Sequence, residues 1–138
     1  MVAARSFSCA FTIRSDTRYL SVLRRWVGAV AQAAGRGRVG KCQRIALELA
    51  LVEAVDNAIF HAHGGSKSKP IGVSMSVRDG EVVVEVVDTG RGIGDPSELL
   101  PDEMSSHGRG LFLIRSMMTS VASRSRDGRH ALRMRLAI

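Results

Sequence analysis

The sequence predicts an α+β fold, with helices laid against a mostly antiparallel sheet, and three observations predict it. Two Asp-Gly pairs, Asp79-Gly80 and Asp127-Gly128, each separate segments of alternating polarity, a strong hairpin signal. Three other stretches carry apolar residues at helical spacing. The resulting order, β-α-α-β-β-α-β-β, groups hairpins with hairpins instead of alternating strand and helix.

In chain order, residues 6–14 place Phe7, Cys9, Phe11 and Ile13 on one side, the period-two mark of a half-buried strand. Asp16 can cap a helix reaching about Ala34, with Leu20, Leu23, Trp26, Val27, Val30 and Ala31 on its apolar stripe. The run Gly35-Arg-Gly-Arg reads as a loop. A second helix is expected from about Val39 to His61. Ile45, Leu47, Leu49, Leu51, Val52, Val55, Ile59 and Phe60 make it apolar on nearly every side, so it should be largely buried. Gly64, Gly65 and Pro70 end it. Strands follow at 71–77 and 81–87. Residues 88–107 then read as a loop with a short helical piece near 97–100, and a third helix spans 109–119. The last hairpin pairs 121–126 with 130–136.

At 138 residues, 45% hydrophobic and 24% charged, the chain is expected to form one domain, 1–138. It carries no apolar run of membrane-spanning length and no basic-then-apolar leader. Two cysteines, Cys9 and Cys42, supply neither a disulfide framework nor a zinc site, which points to a reducing, cytoplasmic setting. A net charge of +7 favours an anionic partner without choosing one, and the scattered aromatic residues make no stacking platform for single strands.

The chemistry concentrates in three places. Glu53 and Asn57 stand four residues apart on one helical face, and His61 continues the row. An acid and an amide inside so apolar a helix are costly unless they meet a ligand, a metal or each other. The second place is the end of a strand, where Asp88 precedes Gly90, Gly92, Ile93 and Gly94. There a carboxylate faces a space that backbone can approach closely, and it can accept from an exocyclic amine such as that of adenine. The third is Gly108-Arg109-Gly110-Leu111 at the start of the last helix, where free N–H groups, the helix dipole and a guanidinium suit phosphate.

Together, Glu53-Ala-Val-Asp-Asn57, Asp88-x-Gly90-x-Gly92-Ile93 and Gly108-Arg109-Gly110-Leu111 resemble the N, G1 and G2 boxes of the GHKL ATPase superfamily (HATPase_c domain). The short length, the two elements before the N box and the lack of a dimerising histidine helix resemble its anti-sigma-factor serine/threonine kinase branch. The resemblance implies a Bergerat ATP-binding fold, a two-layer sandwich of helices on a mixed, mostly antiparallel sheet. It also implies ATP and Mg2+ as cofactors. Glu53 would be the general base toward an acceptor serine, and Asn57 the magnesium-holding amide. Asp88 would read adenine, with Gly90, Gly92 and Ile93 beside the nucleotide, and His61 would be the histidine often found after the N box. Gly108, Arg109, Gly110 and Leu111 would form the turn over the phosphates. Implied partners are a STAS-domain anti-anti-sigma factor, a sigma factor and a second copy of the chain; no membrane partner is expected, and nucleic acid ranks last, as a third reading drawn from the basic face. The competing reading is a nucleotide-dependent module that sequesters a protein without transferring phosphate.

Two departures stand out. Where the family commonly has Gly-Thr in the final hairpin, Gly128 is followed by Arg129 and His130. Asp56 occupies a frequent Thr position and is expected to point outward. Other signals lead elsewhere. The stretch from Gly35 through Gly40-Lys41-Cys42 imitates a phosphate-binding P-loop, but Cys42 lacks the metal-binding hydroxyl and a helix, not a strand, precedes it. His61 and His63 have no third metal ligand nearby in sequence. Arg124, Arg126, Arg133 and Arg135 alternate with apolar residues and predict a solvated outer face.

Overall fold

Alternation at Phe7, Cys9, Phe11 and Ile13 turns these side chains toward the helices and makes Phe7–Arg14 the first strand, β1. In this computed structural model, residues 6–62, 67–89 and 108–138 are described, with backbone alone at 61, 62, 108 and 109. Asp16 caps the next segment as expected, its carboxylate accepting from the Arg18 N–H at 3.0 Å. One 3-10 turn, Thr17–Tyr19, intervenes before helix α1, Leu20–Ala33. Helix α2 is Lys41–Asn57, followed by π-helical turns at Ala58–Ala62. Strands β2 (Pro70–Arg78) and β3 (Glu81–Asp88), helix α3 (Gly108–Met117), and strands β4 (Ser120–Arg126) and β5 (Arg129–Ala137) complete the order.

The strands lie in one five-stranded sheet, β1-β2-β3-β5-β4, and every neighbouring pair among them is antiparallel. Both Asp-Gly pairs turn hairpins, closed by Arg78 opposite Glu81 and by Arg126 opposite Arg129. At the second turn Asp127 (φ 52°) and Gly128 (φ 74°) are both left-handed, the type I′ geometry whose twist suits a hairpin. The register aligns Ile71, Val73, Met75 and Val77 on β2, Val82, Val84 and Val86 on β3, and Leu132, Met134 and Leu136 on β5. These side chains are buried against Leu23, Val27 and Val30 of α1, Leu47, Leu51 and Val55 of α2, and Leu111 and Ile114 of α3. Trp26 is partly exposed and meets Phe11 edge to face, ring centres 4.7 Å apart.

Helix α2 is less buried than its composition predicts. Leu47, Ala50, Leu51, Ala54 and Val55 are in the core, but Ile45 and Leu49 keep 43% and 41% of their surface exposed. Phe60, in the π-helical turns, keeps 52%. The reason is architectural. Helix α2 packs on both α1 and α3 and rests on β3 and β5, and among the described residues no element covers its outer side. On the arginine-bearing face of the last hairpin, Arg124, Arg126 and Arg135 are exposed, as expected of a solvated face. Arg133 is partly buried and in register with Glu85, and Arg135 Nη1 lies 3.8 Å from Glu81 Oε2.

Candidate functional site

Helix α2 presents Glu53 and Asn57 one turn apart, and the structure brings both against the first turn of α3. A Cβ placed on Gly110 would lie 2.9 Å from Glu53 Oε2 and 3.3 Å from both amide atoms of Asn57. Gly110 is thus a site of close approach, where the missing side chain lets the α3 backbone reach the acid and the amide. Gly108 opens α3, and Leu111 is buried in the core below Gly110, anchoring that turn.

Burial first, and the neighbouring charge of Asp56 second, hold the Glu53 carboxyl above the ordinary carboxylate range. Asp56, the neighbouring charge in that shift, is half-buried, one turn from Glu53, and makes its neighbour easier to protonate. Asn57 is buried, and its Nδ2 has no hydrogen-bond partner among the described residues. A buried donor costs about 1–3 kcal/mol if left unpaired, so this N–H is a group that a ligand oxygen could satisfy. An amide beside a proton-accepting acid, under the N-terminus of a helix, suits phosphate oxygens and a hard cation such as Mg2+.

The second cluster lies on the sheet. Asp88 ends β3 on its inward face and is buried; directly opposite, at the start of β5, stands His130, only 3% exposed. His130 Nδ1 is 3.4 Å from Asp88 Oδ2, and its Nε2 is 2.7 Å from Ser123 Oγ on β4. The sequence flags His130 as a departure but does not reveal this contact. A signal was present: His130 occupies the same inward row as Leu132, Met134 and Leu136, where a polar residue must find a partner.

The structure unites Glu53, Asn57 and Gly110 in one group, and Asp88 with His130 in another. Helix α2 joins them by packing on β3 and β5. Gly90, Gly92 and Ile93 lie outside the described residues, as do the helical piece near 97–100 and the side chains of His61 and Arg109. The backbone at 61 lies in the π-helical turns that follow Asn57. The P-loop imitation folds as a loop after α1, with Gly35 and Gly37 at positive φ. Its Gly40 N–H is already engaged by Gln43 Oε1 at 2.8 Å. That loop borders an open surface cavity of about 700 Å³ with Gly28, Arg36, Lys41 and Arg44, and none of Glu53, Asn57, Asp88 and Gly110 lines it. Among the residues lining this cavity there is no acid, so it does not hold the Glu53–Asn57 group.

The family profile of the histidine kinase-like ATPase domain matches residues 13–136, a span that contains both groups. The chain belongs to that family. Over 49 residues this ATPase domain is 37% identical to anti-sigma F factors of two Clostridium botulinum strains, Eklund 17B and Alaska E43. The match covers 36% of the chain and 34% of each relative, about a third of the length of the curated proteins it resembles. Among solved structures, it superposes on the RsbU and RsbW domains of Rv1364c from Mycobacterium tuberculosis. There the TM-score is 0.64 at 14% identity, covering 94% of this chain and 31% of that one. The histidine kinase domain of the Erythrobacter litoralis blue-light activated kinase gives 0.54 at 19% identity, covering 90% and 61%. At such identities the likeness is one of fold, and the α+β arrangement of helices on an antiparallel sheet is that of a GHKL ATPase. Membership of an ATPase domain family implies nucleotide binding. No helix among the described residues is long and apolar enough to cross a membrane.

Proposed function

We propose that this domain is an anti-sigma regulatory factor that binds ATP with Mg2+ and phosphorylates a serine of a STAS-type partner. The observation that carries the proposal is the meeting of Glu53 and Asn57, whose Nδ2 has no hydrogen-bond partner among the described residues, with the Gly110 backbone. Asn57 would offer its carbonyl oxygen to Mg2+ and its N–H to a phosphate oxygen, and the first-turn N–H groups of α3 would hold the phosphates. Bound Mg2+ supplies neutralisation of the charge on the transferring group.

Phosphoryl transfer asks mainly for positioning and for a proton acceptor. The γ-phosphoryl group passes from ATP to the serine oxygen, ADP departs, and the serine hydroxyl proton goes to a Glu53 oxygen. A carboxyl held above its usual range by burial and by Asp56 is a better proton acceptor than a fully solvated one. Asp88, buried at the end of β3, would accept from the adenine amino group. Two further features support a protein partner. Large apolar side chains, Ile45 and Leu49 on α2 and Phe112 and Leu113 on α3, remain exposed, as surfaces covered by partners often do. The local identity to anti-sigma F factors supports a sigma factor as a second partner. The whole chain is taken as one domain working in the cytoplasm.

The test is transfer of labelled phosphate from Mg-ATP to a cognate STAS domain. Glu53→Gln should abolish transfer while ATP binding persists. Transfer that survives this substitution refutes the base assignment. Binding without transfer in the native protein would establish the sequestering module instead.

A further inference from the structure

We infer that His130 is a positioning residue that orients the Asp88 carboxylate toward the base of the nucleotide, with Ser123 fixing the imidazole in the tautomer this requires. The inference rests on the nucleotide reading of Asp88 and adds to it a pair of residues from two further strands.

Register makes the contact. His130 on β5 lies directly opposite Asp88 on β3, and Ser123 on β4 is opposite Leu132, two residues along the same inward row. His130 and Asp88 are both buried, in a row otherwise filled by Leu132, Met134 and Leu136. An ionised carboxylate can only accept, so Nδ1 carries the proton that bridges the 3.4 Å to Asp88 Oδ2. In the neutral ring Nε2 is then bare and accepts the Ser123 hydroxyl at 2.7 Å. The shorter contact holds the ring. The longer one aims the carboxylate, and such contacts can tighten when a ligand closes the site. A carboxylate oriented before the ligand arrives avoids the ordering cost of binding. It also keeps an acceptor facing the base, which favours a 6-amino purine over a 6-oxo purine.

Two isosteric changes separate the contacts. Asparagine at 130 can place its amide nitrogen where Nδ1 stands and keep the donation to Asp88. Glutamine reaches the Nε2 position and keeps only the contact with Ser123. Affinities for ATP and GTP are measured by calorimetry on the full chain, with thermal unfolding to confirm folding. His130→Gln should weaken ATP of the order of tenfold, as loss of one charge-assisted hydrogen bond does, and leave GTP little changed. His130→Asn should recover most of that loss. In the native protein, the 15N spectrum of the neutral His130 ring, assigned by its disappearance in His130→Asn, should show Nδ1 protonated and Nε2 bare. Equal ATP affinity in the native protein and His130→Gln, or an Nε2-protonated ring, overturns the inference and leaves the nucleotide reading intact. A native protein that binds neither nucleotide overturns both.

Discussion

Gly110→Ala tests the centre of the site with one methyl group. The new Cβ would stand 2.9 Å from Glu53 Oε2 and 3.3 Å from the Asn57 amide atoms. Carbon and oxygen rest about 3.5 Å apart or more at optimal packing, so the carboxylate must retreat by roughly half an ångström. Glu53 can swing its flexible end, whereas the shorter, buried Asn57 has less room. Overpacking of this kind costs about 1–3 kcal/mol, and the better helix propensity of alanine offsets up to about 1 kcal/mol. The domain should therefore stay folded, destabilised by no more than about 3 kcal/mol. Function is more sensitive, because misplacing catalytic groups by about 1 Å can cost about a hundredfold. Phosphate transfer should fall at least tenfold, with a smaller loss in ATP affinity. Gly28→Ala supplies the control: the same methyl in α1 meets nothing within 4 Å. It should stabilise by about 0.5–1 kcal/mol and leave transfer unchanged. Thermal unfolding and a radiolabel transfer assay measure both variants. Gly110→Ala with native binding and native transfer would refute the reading of that contact as functional.

Other perturbations have equally definite outcomes. A group whose folded-state pKa is raised binds protons more tightly when folded, so Glu53 removes stability as pH rises from about 4.5 through its folded value. Glu53→Gln should accordingly raise the melting temperature at pH 7 and flatten its dependence on pH between about 4 and 7, as calorimetry would show. Leu51→Ala, at a fully buried position of α2, should cost about 2–5 kcal/mol in urea unfolding. Gly80→Val forces a branched residue into a φ of +77° and should cost about 1–2 kcal/mol. Since Gly80 lies in the turn between β2 and β3, away from Glu53 and Asn57, ATP affinity should not change.

Much of the fold is legible in the residues because local rules decided it. The alternation of β1, the cap at Asp16 and the Asp-Gly turns each specify a conformation within a few residues. What escapes is what depends on distant neighbours. Apolar Ile45 and Leu49 read as buried, since hydrophobic spacing says nothing of how many layers lie above a helix. The change from α to π geometry after Asn57 leaves no sign in the pattern. Glu53, Asn57 and Gly110 are separately recognisable in the chain, but their contact needs α3 docked on α2. Asp88, one of the two partners of His130, is 42 residues away, and the contact appears only when strand register is known. Asp56 stands one helical turn from Glu53 in the chain, and the structure adds that its charge raises the neighbouring carboxyl.

In the proposed function, base recognition and phosphate chemistry hang from different supports. Asp88 and His130 belong to hydrogen-bonded strands at the middle of the sheet, while Glu53 and Asn57 depend on how α3 seats against α2. Damage at the helix junction can silence the reaction and spare the grip on a nucleotide. An architecture divided in this way gives evolution a short route from an enzyme to a ligand-gated brake, by changes confined to one side of the division.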